Sequence, residues 1–95
     1  MTTLQEQFER DFPDKSMRFC FDANKKYENS NFTNYDLDLG EYKNLELLHL
    51  GRVNNLTSLN VSNCPKLKNL LCDDYLFLEN KIKGLEKTSI DRIEH

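Results

Sequence analysis

The side chains in this sequence that could bind a metal ion or act as nucleophiles are its three cysteines, together with two histidines. Cys64 and Cys72 are separated by a short segment, whereas Cys20 lies far upstream. Structural zinc sites usually have four ligands and contain closely spaced cysteine pairs, and the sequence has no Cys-x-x-Cys pair. We therefore interpret all three cysteines as small buried residues, and we expect neither a metal site nor a cofactor.

His49 is the residue whose type would suit acid–base catalysis. A catalytic histidine needs a nucleophile or an acid within hydrogen-bonding reach, and a neighbouring strand would bring Glu46 or Asp38 near it. A single outward-facing histidine is more commonly a contact residue or a solvated side chain. With only three glycines, the chain is also poorly suited to build a phosphate-binding loop. We expect that the protein is not an enzyme and has no catalytic residues.

Two pairs of carboxylates lie on or beside predicted strands, Asp36 with Asp38 and Asp73 with Asp74. Paired carboxylates bind a divalent cation when further oxygen ligands converge on the same point. The spacing of a calcium-binding loop is absent around both pairs. The pattern therefore favours a solvated acidic face over an ion site.

The bulk composition restricts the class of partner. The 95 residues are expected to form a single domain, residues 1–95, with a net charge of -3. Nucleic-acid-binding proteins need a concentrated basic face, whereas the basic pairs here, such as Lys66 with Lys68, have few aromatic rings near them. This disfavours a nucleic-acid partner. No segment has the roughly 20 apolar residues of a membrane span, and the N-terminus lacks a signal-peptide pattern, so we expect a cytoplasmic protein without membrane association.

The elements that would position these side chains are set by an 11-residue repeat. A fixed period of this kind is typical of stacked, near-identical structural units. Three series of apolar residues recur at this interval: Leu37, Leu48, Leu59 and Leu70; Leu39, Leu50, Val61 and Cys72; and Leu45, Leu56, Leu67 and Leu78.

Within each copy, alternation predicts a short strand whose neighbouring side chains point to opposite faces. Leu48, Leu59 and Leu70 are expected to point inward. The residues that flank them are expected to point outward and to form the binding face for a partner: Leu47, His49, Ser58, Asn60, Asn69 and Leu71. An apolar centre with a polar rim is how protein interfaces are built. The alternative is that Leu4, Phe8 or Ile90 packs over the two outward leucines.

Residues 56–67 fit the phrase L-x-x-L-x-L-x-x-N/C-x-L, with Cys64 near the Asn/Cys position. In this respect the chain resembles leucine-rich-repeat proteins, especially those with short, Asn- and Cys-rich nested repeats. The resemblance implies a short β-solenoid of stacked parallel strands within an α+β fold. The strands could stack consecutively in one sheet, or two phrases could form one coil with two sheets. We favour two phrases per coil, because 11 residues are barely enough for a closed circuit.

The two ends are predicted to cover the stack. Leu4, Phe8 and Phe12 form one apolar stripe, which predicts a helix over residues 3–11 that ends before Pro13. We assign residues 1–16 to a helical N-terminal cap, residues 17–75 to the strands and repeats, and residues 76–95 to a partly helical C-terminal cap. Residues 22–34 are polar and rich in Asn, and they are predicted to be an irregular loop.

The function that these features favour is non-catalytic protein–protein interaction. A small inhibitor, immunity protein or effector would bind another protein through the outward strand face. The alternative is a structural repeat fragment that forms a homodimer through the open end of the last coil, near residues 73–77. About three repeats are normally needed for a stable stack, which is the reason for keeping this alternative.

Overall fold

The computed structural model describes residues 2–51, 53, 55–73, 75–90 and 92–94. Asp74, which the sequence pairs with Asp73 as a candidate ion ligand, lies outside the described residues. The fold belongs to the α+β class, as predicted. Its elements in chain order are α1 (Leu4–Asp11), β1 (Phe19–Cys20), α2 (Ala23–Lys26), β2 (Asp36–Asp38), β3 (Leu47–His49), β4 (Ser58–Asn60), β5 (Asn69–Leu71), α3 (Tyr75–Leu78), β6 (Ile82–Lys83), a 3-10 turn (Leu85–Lys87) and β7 (Arg92–Glu94).

The strands form two parallel sheets, and successive strands alternate between the sheets. One sheet has the order β1-β3-β5-β7 and the other has the order β2-β4-β6. Leu48 pairs with Leu70 in the first sheet, and Leu37 pairs with Leu59 in the second. Two 11-residue phrases therefore separate neighbouring strands of one sheet. Of the two arrangements that the sequence allows, the chain adopts the one with two sheets.

The hydrophobic core lies between the sheets, because the central residue of each repeat strand points inward. Leu37 and Leu59 from one sheet and Leu48 and Leu70 from the other belong to one buried cluster. Leucines of the connecting segments fill the rest of the core, among them Leu39, Leu45, Leu50, Leu56 and Leu67. Burial of this much apolar surface is the main favourable contribution to folding.

Leu78 breaks the series to which it belongs by sequence, since its side chain is 83% exposed. The reason is a change of spacing. The β4–β6 and β5–β7 pairs are offset by one residue more than the β2–β4 and β3–β5 pairs. The extra residue falls where α3 replaces a turn of the repeat, and Leu78 is carried out of the core position that Leu56 occupies.

Helix α1 covers one end of the stack and confirms the predicted N-terminal helix. The side chain of Thr3 accepts a hydrogen bond from the Glu6 N–H at 3.1 Å, which satisfies a free donor at the start of the helix. The side-chain amide of Gln5 then pairs with the edge of β2. The Asp38 N–H donates to Gln5 Oε1 at 2.6 Å, and Gln5 Nε2 donates to the Asp38 carbonyl at 2.9 Å. The outer edge of this strand is thereby capped.

Residues 22–34, which the sequence predicts as a loop, contain the short helix α2. Ala23 and Tyr27 are buried there. The Tyr27 ring lies 6.3 Å from that of Phe8 on α1, and its hydroxyl donates to Asp11 Oδ2 at 2.9 Å. Contact with α1, rather than local sequence preference, orders this polar segment.

The C-terminal segment extends both sheets, which differs from the predicted end of the repeat near Tyr75. It does contain α3 and the 3-10 turn, so it is partly helical, but β6 pairs with β4 and β7 pairs with β5. Gly84 allows the chain after β6 to lie close to the turn that follows β4. Its φ of 84° lies in the left-handed region, and a Cβ there would lie 2.3 Å from Ser62 Cα. Within the described residues, the structure has no helix that is both long enough and apolar enough to span a membrane.

Candidate functional site

The six outward residues predicted to bind a partner are divided between the two sheets. Leu47, His49, Asn69 and Leu71 lie on the four-stranded sheet, where Leu47 pairs with Asn69 and His49 pairs with Leu71. Ser58 and Asn60 lie on β4 of the three-stranded sheet and form a separate group. Because the inward residues of both sheets share one core, the two groups face away from each other.

The four-stranded sheet carries two exposed aromatic side chains that the sequence argument missed. Phe19 on β1 pairs with Leu47 and is 51% exposed, and Phe21, which follows β1, is 55% exposed. The Phe19 and Phe21 ring centroids are 6.2 Å apart with the rings stacked, and the Phe21 ring meets the His49 ring edge-on at 5.3 Å. We call the surface formed by Phe19, Phe21, Leu47, His49 and Leu71 the aromatic face.

A signal for this face is present in the sequence. In every repeat strand the central residue points inward and its neighbours point outward. On β1 the inward residue is the small Cys20, which pairs with Leu48 and is buried. Its two phenylalanine neighbours must therefore point outward. The order of large and small residues in β1 is the reverse of that expected for a half-buried strand.

A charged group borders the aromatic face at its β1 end. The Arg18 guanidinium lies 5.2 Å from the centroid of the Phe19 ring and forms an ion pair with Glu46 at 2.5 Å. The hydrogen bond from Arg18 lowers the pKa of Glu46 below its ordinary value. Arg18 is largely exposed and is already paired with Glu46. An ion-paired cation therefore lies beside the aromatic rings.

The acids considered for His49 are engaged elsewhere. Glu46 pairs with Arg18, and Asp38 lies on β2 in the other sheet, where its Oδ1 accepts the Gly40 N–H at 2.9 Å. The ring of His49 faces Phe21 instead. The structure thus places this histidine within an apolar surface and not within an acid–base pair formed with either of these two acids.

The outer face of the three-stranded sheet is polar. Asp36 Oδ1 accepts hydrogen bonds from the hydroxyls of Thr57 and Ser58 at 2.6 and 2.7 Å, and these bonds lower its pKa. Asn60 Oδ1 accepts the Ser62 hydroxyl at 2.7 Å. Asp36, Ser58 and Asn60, together with residues of α1, line an open groove of about 640 Å³. Among the described residues no group of three or more His, Cys, Asp or Glu side chains is arranged to hold a metal ion.

The three cysteines are buried and form no disulfide with one another. The Cys64 thiol donates to the Leu39 carbonyl at 3.4 Å. Burial raises the pKa of Cys20 and of Cys64 to about 11, so that both thiols stay protonated at neutral pH. They pack as small hydrophobic residues, as the sequence predicts.

Comparisons of the chain with known protein families, with characterised proteins and with solved structures found no match.

Proposed function

We propose that this protein is a short solenoid of the leucine-rich-repeat type that binds another protein without catalysing a reaction. Support for the repeat type comes from the equal offset of the β2–β4 and β3–β5 pairs and from the burial of four leucines that recur every 11 residues, Leu37, Leu48, Leu59 and Leu70. An inhibitor, an immunity protein or an effector would act in this way. The proposal keeps a cytoplasmic location, since a reducing compartment suits three buried cysteines that form no disulfide with one another.

The observation that carries the proposal is the aromatic face. Two adjacent phenylalanines that are each more than half exposed are unusual on a small folded protein, because their burial would be favourable. Aromatic side chains are enriched at the centres of protein interfaces, where they supply much of the binding free energy. The ring contacts among Phe19, Phe21 and His49 hold these side chains in place before binding, which lowers the entropy cost of association.

The charged border favours a protein partner over a purely apolar ligand. Arg18 can donate further hydrogen bonds, because its side chain is 61% exposed although it already pairs with Glu46. An apolar centre beside such a donor fits a partner surface that combines apolar side chains with carbonyl or carboxylate oxygens. We place the partner-binding residues Leu47, His49, Asn69 and Leu71 in this interface, with Phe19 and Phe21 as its anchors.

The test is affinity capture from a lysate of the source organism, with mass spectrometry of the retained proteins and then measurement of the dissociation constant for each candidate. The wild type is compared with a Phe19→Ser/Phe21→Ser variant. If each ring is an anchor, each substitution costs about 2 kcal/mol of binding or more. Because both rings are exposed, the free energy of unfolding should change by only about 0.5 kcal/mol for each.

A Ser58→Ala/Asn60→Ala variant is the matched control, because it alters two outward residues of the opposite sheet. A partner bound equally by the wild type and this control, and lost by the double phenylalanine variant, supports the proposal. A partner that is lost by the control and kept by the phenylalanine variant would assign binding to the polar groove. If all three chains retain the same proteins, the aromatic face is not the binding site.

A further inference from the structure

Basic side chains border the aromatic face on the side where its strands begin. Arg18, Glu46 and Lys68 directly precede β1, β3 and β5. Backbone hydrogen bonds hold these three residues side by side, since the Glu46 N–H donates to the Arg18 carbonyl at 2.7 Å and the Lys68 N–H donates to the Glu46 carbonyl at 2.8 Å. Lys66 is a third base at this edge, and its ammonium group donates to Asn44 Oδ1 at 3.2 Å. We call Arg18, Lys66 and Lys68 the basic border.

The basic border keeps positive charge that no neighbouring carboxylate neutralises among the described residues. The Glu46 carboxylate is already paired with Arg18. Its pKa is lowered chiefly by the hydrogen bond from Arg18, and the charges of Lys68 and Lys66 lower it further because both ammonium groups lie near the same edge. Both lysines are exposed, and within the part of the chain that the structure describes neither forms an ion pair. They therefore offer positive charge to a partner, although the chain as a whole has a net charge of -3.

Charges of opposite sign are separated across the aromatic face. Asp22 follows Phe21 at the end of β1, and Asp73 comes shortly after β5. Because the strands of this sheet are parallel, both aspartates lie on the side where the strands end, opposite the basic border. Complementary charges at an interface attract the partner and fix its orientation. The carboxylates of a partner are thus favoured on the side where the strands begin and disfavoured on the other side.

From these observations we propose that the partner contributes an acidic protein segment, whose carboxylates lie against Lys66 and Lys68 while its apolar side chains cover Phe19 and Phe21. This class of partner rests on the proposed function, because the aromatic face must be the binding site. A nucleic acid fits less well, since binding driven by phosphates becomes tight only when many of them are neutralised. An acidic segment needs few charged contacts, because the burial of its apolar side chains against the two rings supplies much of the affinity.

The test begins with a phage-displayed library of random linear peptides, which is selected on the immobilised full chain and on the Phe19→Ser/Phe21→Ser variant. Peptides that the wild type retains and this variant does not retain are the ones that bind the aromatic face. These peptides should combine aromatic or aliphatic residues with Asp or Glu. The most enriched of them are then synthesised, and their dissociation constants are measured in solution.

The affinity measurements compare the wild type with a Lys66→Gln/Lys68→Gln variant and a Lys81→Gln/Lys83→Gln variant. The second variant is the matched control, because it removes the same charge at and beside β6 of the opposite sheet. Loss of two exposed ion pairs should weaken peptide binding about tenfold in the first variant, whereas the control should bind like the wild type. Added salt should weaken binding to the wild type more than binding to Lys66→Gln/Lys68→Gln, because salt screens exposed charges. Thermal unfolding of each variant verifies that it is folded.

Failure of the acidic partner and failure of the aromatic face give different results. Peptides that need both phenylalanines but are not enriched in Asp or Glu, or that bind Lys66→Gln/Lys68→Gln as tightly as the wild type, overturn the acidic partner and keep the aromatic face as a binding site. If no selected peptide depends on the phenylalanines, the proposed function fails and the acidic partner fails with it. A fluorescein-labelled oligothymidylate that binds the wild type more tightly than every selected peptide, and that is lost in Lys66→Gln/Lys68→Gln, would assign the basic border to nucleic acid.

Discussion

Replacement of Gly84 by Ala should destabilise the protein far more than the same replacement of Gly40. A Cβ at position 84 would lie 2.3 Å from Ser62 Cα and 2.6 Å from Ser62 N, both backbone atoms that cannot rotate away. The φ of 84° is also one that residues with a side chain rarely adopt. Gly40 is the control, because its nearest neighbour is the carboxylate oxygen of Asp38 at 3.1 Å, which can rotate.

The magnitude follows from these two contributions. A left-handed backbone costs a residue with a Cβ about 1–2 kcal/mol, and separating the overlapping backbones raises the total to about 3 kcal/mol or more. A domain of this size has a total stability of about 5–14 kcal/mol. The expected fall in melting temperature is therefore about 12 °C or more. Gly40→Ala should change the free energy of unfolding by less than about 1 kcal/mol.

The assay is urea denaturation and thermal unfolding followed by circular dichroism, which suits a chain without tryptophan. Two-state fits give the free energy of unfolding for the wild type and for both variants. If Gly84→Ala and Gly40→Ala differ by less than about 1 kcal/mol, Gly84 does not lie against the Ser62 backbone. The stacking of β6 on β4 would then be wrong, and with it the extension of the sheets beyond β5.

Three further predictions concern the core, the acidic face and the packing of α2. Leu59→Asp should abolish cooperative thermal unfolding, because it buries an unpaired charge at the centre of β4; a cooperatively folded variant would contradict the strand assignment. In a Thr57→Val/Ser58→Ala variant, the pKa of Asp36 measured by NMR should rise towards its ordinary value of 3.8. Because these bonds lower the folded pKa, their stabilising effect exists above the unfolded pKa and is lost as pH falls through the folded one. Tyr27→Phe should cost about 1 kcal/mol of unfolding free energy, since the buried ring loses its hydrogen bond to α1.

The sequence predicts the regular part of the molecule well, because the leucines that recur every 11 residues in the strands β2 to β5 are also residues of the core. The centres of β2, β3, β4 and β5 are leucines at one interval, and a shift of register by one residue would expose all four. Helix α1 is equally well predicted, since the apolar stripe and Pro13 indicate its extent. These elements needed no information from the rest of the chain.

The remaining elements depend on contacts that do not follow the 11-residue period. One inserted residue between β5 and β6 hides the continuation of both sheets, and it turns Leu78 outward although its residue type fits the repeat. At the other end, Phe19 pairs with Leu47 across 28 residues, so the repeat gives no register for β1. The division of the predicted binding residues also required the sheet topology, because Ser58 follows the same alternation as Leu47 but lies on the opposite sheet.

The exposed large apolar side chains of the described residues lie where the period fails. Inside the regular repeat, outward residues are limited by the pairing of neighbouring strands, and most of them are half-buried or polar. Extra residues between β1 and β3 and between β5 and β6 interrupt the period. The exposed large apolar side chains of the described residues, Phe19, Phe21 and Leu78, lie beside these interruptions. The fold would retain unused apolar exposure only at a cost in solubility. The irregular spacing near β1 and before β6 therefore predicts where exposed apolar surface lies, and near β1 this is the surface that we propose for partner binding.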